Sequence, residues 1–137
     1  MSNKESLGWR DERISRRHRL YGDDCPAVDI DFLMLEYDKR KPIALVEYKH
    51  TNWVYKMSPS IEAVMNLANN HSPPLPFTVV RYDPDTWDYV VYPINDPAKK
   101  IYRPGAELSE LKYVESLYYM RGREVPDSVI TSITEVA

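Results

Sequence analysis

The residues best suited to chemistry in this sequence are an acidic residue and a lysine two positions apart, Glu47 and Lys49, at the end of an apolar stretch. With 21 acidic residues and eight lysines in 137 positions, about one such pair is expected by chance. The chain contains two. The second, Glu110 and Lys112, falls in a predicted surface helix, which indicates a charged helix face. Only the first pair therefore points to a site.

Two apolar stretches, residues 27–37 and 42–50, are predicted to be strands because they are rich in β-branched and aromatic residues. The five residues 37–41, which include the end of the first stretch, are polar and suit a turn. Strand side chains alternate between the two faces, so Glu47 and Lys49 share one face. The opposite faces of both stretches are apolar, and we expect both strands to be central in a sheet.

The register of this predicted hairpin decides which charges meet. A three-residue loop would place Asp31 opposite Glu47 and Asp29 opposite Lys49. A register shifted by two would place Asp31 opposite Lys49 instead. A two-residue loop without a bulge would place Asp29 and Asp31 on one face of the hairpin and Glu47 and Lys49 on the other. The prediction therefore requires an odd-length loop or a bulge.

Carboxylates and a lysine at the ends of buried strands would be destabilising if they were unpaired. One interpretation is a satisfied salt-bridge cluster around Lys49. The other is a divalent cation, because Mg²⁺ prefers oxygen ligands and takes one or two carboxylates together with substrate phosphate. A neighbouring lysine can then orient or deprotonate the attacking water and stabilise developing phosphate charge.

The remaining elements follow from periodicity and breakers. We expect a short N-terminal helix, a helix that begins at Ser58-Pro59 and ends before Pro73, two more strands, and a final helix. The last residues are expected to fray. The order predicts a single α/β domain with a mixed sheet of about four strands flanked by helices. The predicted strands and final helix are Phe77–Tyr82, Trp87–Ile94 and Leu108–Met120.

The net charge of −3 does not indicate a nucleic-acid binder, but its distribution includes a basic cluster near the N-terminus. Guanidinium groups bind phosphate oxygens in pairs, although a solvated helix face would have the same composition. His18 could also contact phosphate. The candidate nucleic-acid-binding residues are Arg13, Arg16, Arg17 and Arg19.

Other classes of site lack their patterns. The three histidines and the single Cys25 show no zinc-ligand spacing, and the lone cysteine excludes an internal disulfide. There is no phosphate-binding glycine loop and no G-x-S-x-G motif, which argues against a nucleoside triphosphatase and a serine hydrolase. No apolar run is long enough to span a bilayer. We expect a cytoplasmic protein, in the host cytoplasm if it is phage-encoded.

The spacing of Asp31, sixteen residues, then Glu47-Tyr48-Lys49, followed by a helix and another strand, resembles the PD-(D/E)xK nuclease superfamily. The segments 25–32 and 47–50 look like small uncharacterised phage nuclease-like proteins of this kind. The resemblance covers residues from about 10 to 95 and implies a restriction-endonuclease-like core. The C-terminal helix, about 107–121, is not explained by it.

By this resemblance, Asp31 and Glu47 would hold Mg²⁺ or Mn²⁺, the carbonyl of Tyr48 would add a ligand, and Lys49 would be the catalytic lysine. The family's proline is not adjacent to Asp31, so either Asp29 or Asp31 can be the principal ligand. A family acidic residue on the first helix would correspond to Glu12.

The resulting hypothesis is metal-dependent hydrolysis of phosphodiester bonds, with DNA favoured over RNA by the resemblance alone. The domain has no separate DNA-reading module, so structure-selective cutting, a homodimer or action within a larger protein complex would suit it. The alternative hypothesis is a nuclease-like fold retained as a catalytically silent binding or inhibitory module that acts on a protein partner. Its binding would need no metal.

Overall fold

The computed structural model describes residues 12–136, apart from the side chains of Glu12, Ser15 and Val136. Five strands form one sheet, and helices flank it. The strands are β1 (Phe32–Glu36), β2 (Lys41–His50), β3 (Phe77–Tyr82), β4 (Tyr89–Pro93) and β5 (Ala106–Leu108). The helices are α1 (Glu12–Arg19), α2 (Pro59–Asn70), α3 (Asp96–Lys99), α4 (Glu110–Met120) and α5 (Asp127–Val136), and a 3-10 turn spans Tyr37–Lys39.

The sheet is mixed, and its strands lie side by side in chain order. β1 and β2 form an antiparallel hairpin, and β2 then pairs with β3 in parallel. A parallel neighbour requires a crossover connection, which α2 supplies. β3, β4 and β5 pair antiparallel in turn. The α/β class and the mixed sheet flanked by helices are therefore confirmed.

A β-bulge sets the register of the first hairpin. Phe32 pairs with Val46 and Met34 with Ala44, but the register shifts by one between Met34 and Leu35, which pairs with Pro42. The four residues 37–40 then close the turn, and Arg40 adopts a left-handed conformation there (φ 52°). An even-length loop alone would place Asp31 on the opposite face from Glu47 and Lys49. The bulge returns all three residues to one face.

Each face of the sheet carries its own core. On one face, Ile61, Val64 and Ala68 of α2 pack with Leu45 and Phe77 of the sheet. On the other face, side chains of α4 and of the segment after α3 cover the sheet. The second core is built by Val46, Val80, Val91, Tyr102 and Tyr113, with Tyr48, Tyr89 and Leu117 packed against them.

Polar caps fix the start of α2, where the sequence predicts one, and the start of α4. The hydroxyl of Ser58 accepts a hydrogen bond from the N–H of Ile61, 3.2 Å away, and Pro59 occupies the first turn of α2. The hydroxyl of Ser109 accepts from the N–H of Lys112 at the start of α4. These bonds satisfy donors that have no partner within the helix.

Four sequence expectations differ from the structure. The first strand begins at Phe32 rather than at residue 27, and β1 is an edge strand rather than a central one, with Phe32, Leu33 and Leu35 exposed. The sheet has five strands rather than about four, because the three-residue β5 is too short for its pattern to be recognised. The last residues form α5 rather than fraying. No described helix has the length and apolar composition needed to cross a membrane.

Candidate functional site

Glu47 lies on β2, an interior strand that pairs with β1 and β3, and faces the α2 side of the sheet with Leu45. Its side chain is 19% exposed, and its Oε1 lies 3.6 Å from the Nζ of Lys49. Its other carboxylate oxygen, Oε2, is buried and accepts no hydrogen bond from the described residues. A buried carboxylate oxygen without a donor is energetically unfavourable, and a bound cation would compensate for it.

Asp31 lies directly before β1, where the register of the hairpin continued by one residue places it opposite Glu47. Its Oδ2 accepts a hydrogen bond from the main-chain N–H of Tyr48, with 3.0 Å between the two atoms. If β1 were longer, one of its main-chain carbonyls would accept this hydrogen bond. The carboxylate of Asp31 accepts it instead. Of the two registers that the sequence left open, the observed pairing continues the one that places Asp31 opposite Glu47.

Tyr48, the residue between Glu47 and Lys49, anchors the motif to the opposite face. Its hydroxyl forms a hydrogen bond with the hydroxyl of Tyr113, with 2.6 Å between the oxygens. Burial raises the pKa of Tyr113 well above its usual range, so this partner stays neutral. The main-chain N–H of Tyr48 points toward Asp31. In a strand the carbonyl points to the same side, so the predicted carbonyl ligand lies on the Asp31 side of β2.

Lys49 ends the motif and is about one-third exposed. In the parallel pairing of β2 with β3, Lys49 lies opposite Arg81. Because directly opposite side chains share a face, Arg81 adds a second positive charge beside the motif. Sequence reasoning missed Arg81, since only the crossover through α2 brings a residue 32 positions away next to Lys49.

The guanidinium of Arg81 is held by two contacts. Its Nη1 donates a hydrogen bond to the carbonyl of Trp53, 3.3 Å away. Its Cζ lies 6.0 Å from the ring centroid of Tyr92. Tyr55 stacks on the same Tyr92 ring with 4.9 Å between centroids. The loop after β2 therefore folds back over the sheet and joins the motif to an aromatic cluster.

A cavity of about 360 Å³ is lined by Arg81, by Thr51 after β2 and by residues of β4 and β5. Asp83 and Asp88 of the β3–β4 turn and Glu107 of β5 contribute acidic side chains to its lining. Arg81 therefore lies between Lys49 on β2 and this acidic lining. A phosphate group would be attracted to the two cations and repelled by the acidic side chains.

The hairpin register does not place the other predicted site residues beside Glu47 and Lys49. Asp29 is exposed in the segment ahead of β1. His18 lies on α1, with its ring centroid 5.4 Å from that of Tyr21. The side chain of Glu12 lies outside the described part of the chain. The arginines of α1 are exposed, and among the described residues α1 makes only sparse contact with other elements. These residues are Arg13, Arg16, Arg17 and Arg19.

The second acidic–lysine pair lies in α4, as predicted. Lys112 forms an exposed ion pair with Glu115, with 3.5 Å between Nζ and Oε1. Exposed pairs at this helical spacing contribute only a few tenths of a kcal/mol, about 0.3–0.5 kcal/mol. Glu110 and Lys112 are thus ordinary helix-surface residues.

Residues 12–136 contain no group of three or more histidine, cysteine, aspartate or glutamate side chains arranged to hold a metal ion. Asp29 therefore does not join Asp31 and Glu47 in a three-carboxylate cluster. Two opposed carboxylates and a nearby carbonyl still fit Mg²⁺, which keeps several waters and is often bound by one or two carboxylates and a substrate phosphate. The buried Oε2 of Glu47, which accepts no hydrogen bond, supports the same fit.

No protein-family model, curated protein or solved structure matches this chain.

Proposed function

We propose that this chain is a metal-dependent nuclease that hydrolyses phosphodiester bonds, with Asp31, Glu47 and Lys49 as its catalytic residues. One observation carries the proposal: among the described residues the buried Oε2 of Glu47 has no hydrogen-bond partner, on an interior strand and beside a lysine. A carboxylate retained only for an ion pair would be expected to satisfy both oxygens. The resemblance to PD-(D/E)xK nucleases supports the same assignment of residues.

Mg²⁺ or Mn²⁺, when bound, would act as a Lewis acid on the phosphate and would lower the pKa of bound water. Glu47 and Asp31 would hold it from opposite strands, and the carbonyl of Tyr48 faces the same side of β2. Lys49 would orient the attacking water and stabilise the charge that develops on phosphate oxygens. Its ion pair with Glu47 keeps the ammonium within reach of the carboxylates.

Arg81 is suited to binding substrate rather than reacting with it. It lies opposite Lys49 on β3, and the contacts with Trp53 and Tyr92 restrain its guanidinium. A restrained guanidinium loses little entropy when it binds a phosphate. The arginines of α1 would supply further contacts with the nucleic-acid backbone.

The test is cleavage of labelled DNA and RNA (single-stranded, duplex, nicked and four-way junction) in Mg²⁺, Mn²⁺ or EDTA. Lys49→Ala and Glu47→Gln are compared with wild type, and Lys112→Ala is the matched control from the acidic–lysine pair on α4. We expect metal-dependent cleavage that both motif variants lose and the control retains. Absence of cleavage of every substrate, or cleavage that survives both motif substitutions, would overturn the proposal.

A second candidate function is a nuclease-like fold that binds a protein partner without cleaving nucleic acid. The exposed edge strand β1 favours it, because Phe32, Leu33 and Leu35 present apolar surface along an edge that no other described strand covers. Such an edge can pair with a strand of another protein. Partner binding that is unchanged in EDTA, together with the absence of cleavage, would identify this function.

A further inference from the structure

We infer that Arg81, Tyr55 and Tyr92 form a binding site for one nucleotide of single-stranded nucleic acid beside the catalytic residues. We name these three residues the nucleotide platform. The inference deepens the proposed function and rests on it for the identity of the substrate. It names the form of nucleic acid that reaches Lys49: an unpaired strand rather than an intact duplex.

The phosphate end of the platform is Arg81. Its position opposite Lys49 in the β2–β3 register places two cations on one face, next to Glu47. The hydrogen bond to the Trp53 carbonyl engages one N–H of a guanidinium that carries five. Arg81 is partly exposed, so its side chain reaches the surface. A phosphate next to the one being cleaved can therefore bind there.

The base end of the platform is Tyr55. It stacks on Tyr92 at 4.9 Å with an angle of 27° between the rings, yet 44% of its surface stays exposed. Trp53 contacts both rings edge-on and supports them from the core side. An aromatic ring that is held in place and still accessible is the kind of surface on which bases stack in single-strand-binding proteins.

Tyr92 links the two ends of the platform. The Cζ of Arg81 lies 6.0 Å from the Tyr92 centroid, and the Tyr55 centroid lies 4.9 Å from it. A base in a duplex has both faces covered by its neighbours, so it must be unpaired and unstacked before it can stack on Tyr55. The platform therefore selects single strands, frayed ends or unpaired loops.

The charges around the platform favour one path for such a strand. The acidic side chains of Asp83, Asp88 and Glu107 line the cavity and would repel phosphates. Lys49 and Arg81 would attract them at β2 and β3. The strand is thus expected to pass from Lys49 toward Tyr55 rather than into the cavity.

The test is fluorescence anisotropy of labelled single-stranded DNA, single-stranded RNA and duplex DNA, titrated with the full chain in EDTA. Binding is then measured without cleavage, so a failure of the nuclease proposal is distinguishable from a failure of this inference. The variants are Tyr55→Ala, Tyr55→Phe, Arg81→Gln and Arg81→Lys. Exposed Tyr119 and Arg103 provide the matched controls Tyr119→Ala and Arg103→Gln. Thermal unfolding by circular dichroism verifies that each variant is folded.

We expect single strands to bind more tightly than duplex. Tyr55→Ala should weaken single-strand binding about 5- to 100-fold, while Tyr55→Phe retains it because the stacking surface is kept. Arg81→Gln should weaken binding and reduce the dependence of log Kd on log salt by about 0.7, as for one lost phosphate contact on a single strand. Arg81→Lys should keep the salt dependence, and Tyr55→Ala should leave it unchanged. Comparison of DNA with RNA shows whether a 2′-hydroxyl matters.

Equal affinity for duplex and single strands would overturn the inference. So would full binding by Tyr55→Ala, or losses at the Tyr119 and Arg103 controls that match those at the platform. If single strands bind with the expected effects of the Tyr55 and Arg81 variants but no substrate is cleaved, the platform is supported and the nuclease proposal is refuted. Cleavage of duplex DNA at the same rate in wild type and Tyr55→Ala would support the nuclease and refute the platform.

Discussion

The carboxylate of Asp31 accepts a hydrogen bond from the main-chain N–H of Tyr48 at 3.0 Å, and this bond joins the end of β1 to the centre of the acidic–lysine motif. A charged acceptor makes this hydrogen bond stronger than a neutral one would. The bond holds the Asp31 carboxylate at the point where the register places it opposite Glu47. Asp31 therefore has a positioning partner as well as a proposed role in binding the metal.

These two roles of Asp31 can be separated by substitution. Asp31→Asn keeps an oxygen that can accept from Tyr48, so we expect its free energy of unfolding to change by less than about 1 kcal/mol. Its cleavage rate should fall roughly 100-fold or more, because metal binding requires the charge. Asp31→Ala should lose the same activity and also destabilise the fold by about 1 kcal/mol, since it removes the acceptor. Urea unfolding and cleavage kinetics measure both effects.

Asp29→Asn is the matched control for Asp31→Asn, because Asp29 shares the predicted face and lies outside the hairpin register. We expect its cleavage rate to stay within a few-fold of wild type. A loss at Asp29 as large as that at Asp31, or larger, would identify Asp29 as the principal ligand instead. That outcome would contradict the assignment made from the register.

Metal binding should stabilise the fold through Glu47. Mg²⁺ at one hundred times its dissociation constant adds about 2.7 kcal/mol to the free energy of unfolding. We expect Mg²⁺ to raise the Tm of wild type and of Lys112→Ala, and to leave the Tm of Glu47→Gln near its value in EDTA. Differential scanning calorimetry with and without Mg²⁺ measures this. Equal Mg²⁺ shifts in wild type and Glu47→Gln would refute Glu47 as a ligand.

Glu36 should make stability depend on pH at the acidic end. The hydrogen bond from Arg121, together with the charges of Arg121 and Arg123, lowers the pKa of this carboxyl, although burial opposes the shift. Arg123 Nε lies 2.8 Å from Oε1, and Arg121 Nη2 lies 3.3 Å from Oε2. The charged form is thus favoured in the folded state. Its contribution is complete above the unfolded pKa of about 4.3 and is lost as pH falls through the lower folded value.

The measurement is the Tm of wild type and Glu36→Gln between pH 7 and pH 2.5. We expect Glu36→Gln to unfold at a lower temperature at pH 7, with the difference shrinking as the pH falls below about 4. The exposed Glu124→Gln provides the control and should follow wild type throughout. A difference that is constant over the whole range would show that the ion pairs do not control this titration.

The hydrogen bond between Tyr48 and Tyr113 should contribute to stability. Tyr113→Phe keeps the packing but leaves the Tyr48 hydroxyl without this partner, so we expect a loss of about 1 kcal/mol. Tyr113→Ala should cost about 3–5 kcal/mol, because it also opens a cavity in a buried aromatic cluster. Urea unfolding measures both variants. Tyr113→Phe as stable as wild type would show that the hydroxyl contact adds nothing.

The same tyrosine predicts the behaviour at alkaline pH. Burial, followed by the neighbouring Tyr48, raises the pKa of Tyr113, so the folded state favours the neutral form. Its contribution is complete below the unfolded pKa of about 10 and is lost as pH rises through the folded value. We expect wild type to lose stability more steeply than Tyr113→Phe above pH 10 or so. Urea midpoints at increasing pH give the comparison.

Local patterns predicted most of the elements. The apolar run of β2, the Ser58 cap of α2 and the turn at Asp83 depend on neighbouring residues, and the sequence shows them directly. Asp83 Oδ1, for example, accepts from the N–H of Asp85 at 2.9 Å. Local signals failed for α5, whose sequence DSVITSITEV is rich in β-branched residues with weak helix propensity. They failed also for β5, which has only three residues.

By itself the sequence determined that Glu47 and Lys49 share a face of a strand, because alternation is a property of the extended backbone. Only the tertiary structure decided that Asp31 meets Glu47, since a bulge between Met34 and Leu35 sets that register. It also decided that Arg81 lies beside Lys49. Parallel pairing across a helical crossover depends on how the two cores pack. No local pattern of residues encodes a pairing between positions so far apart in the sequence.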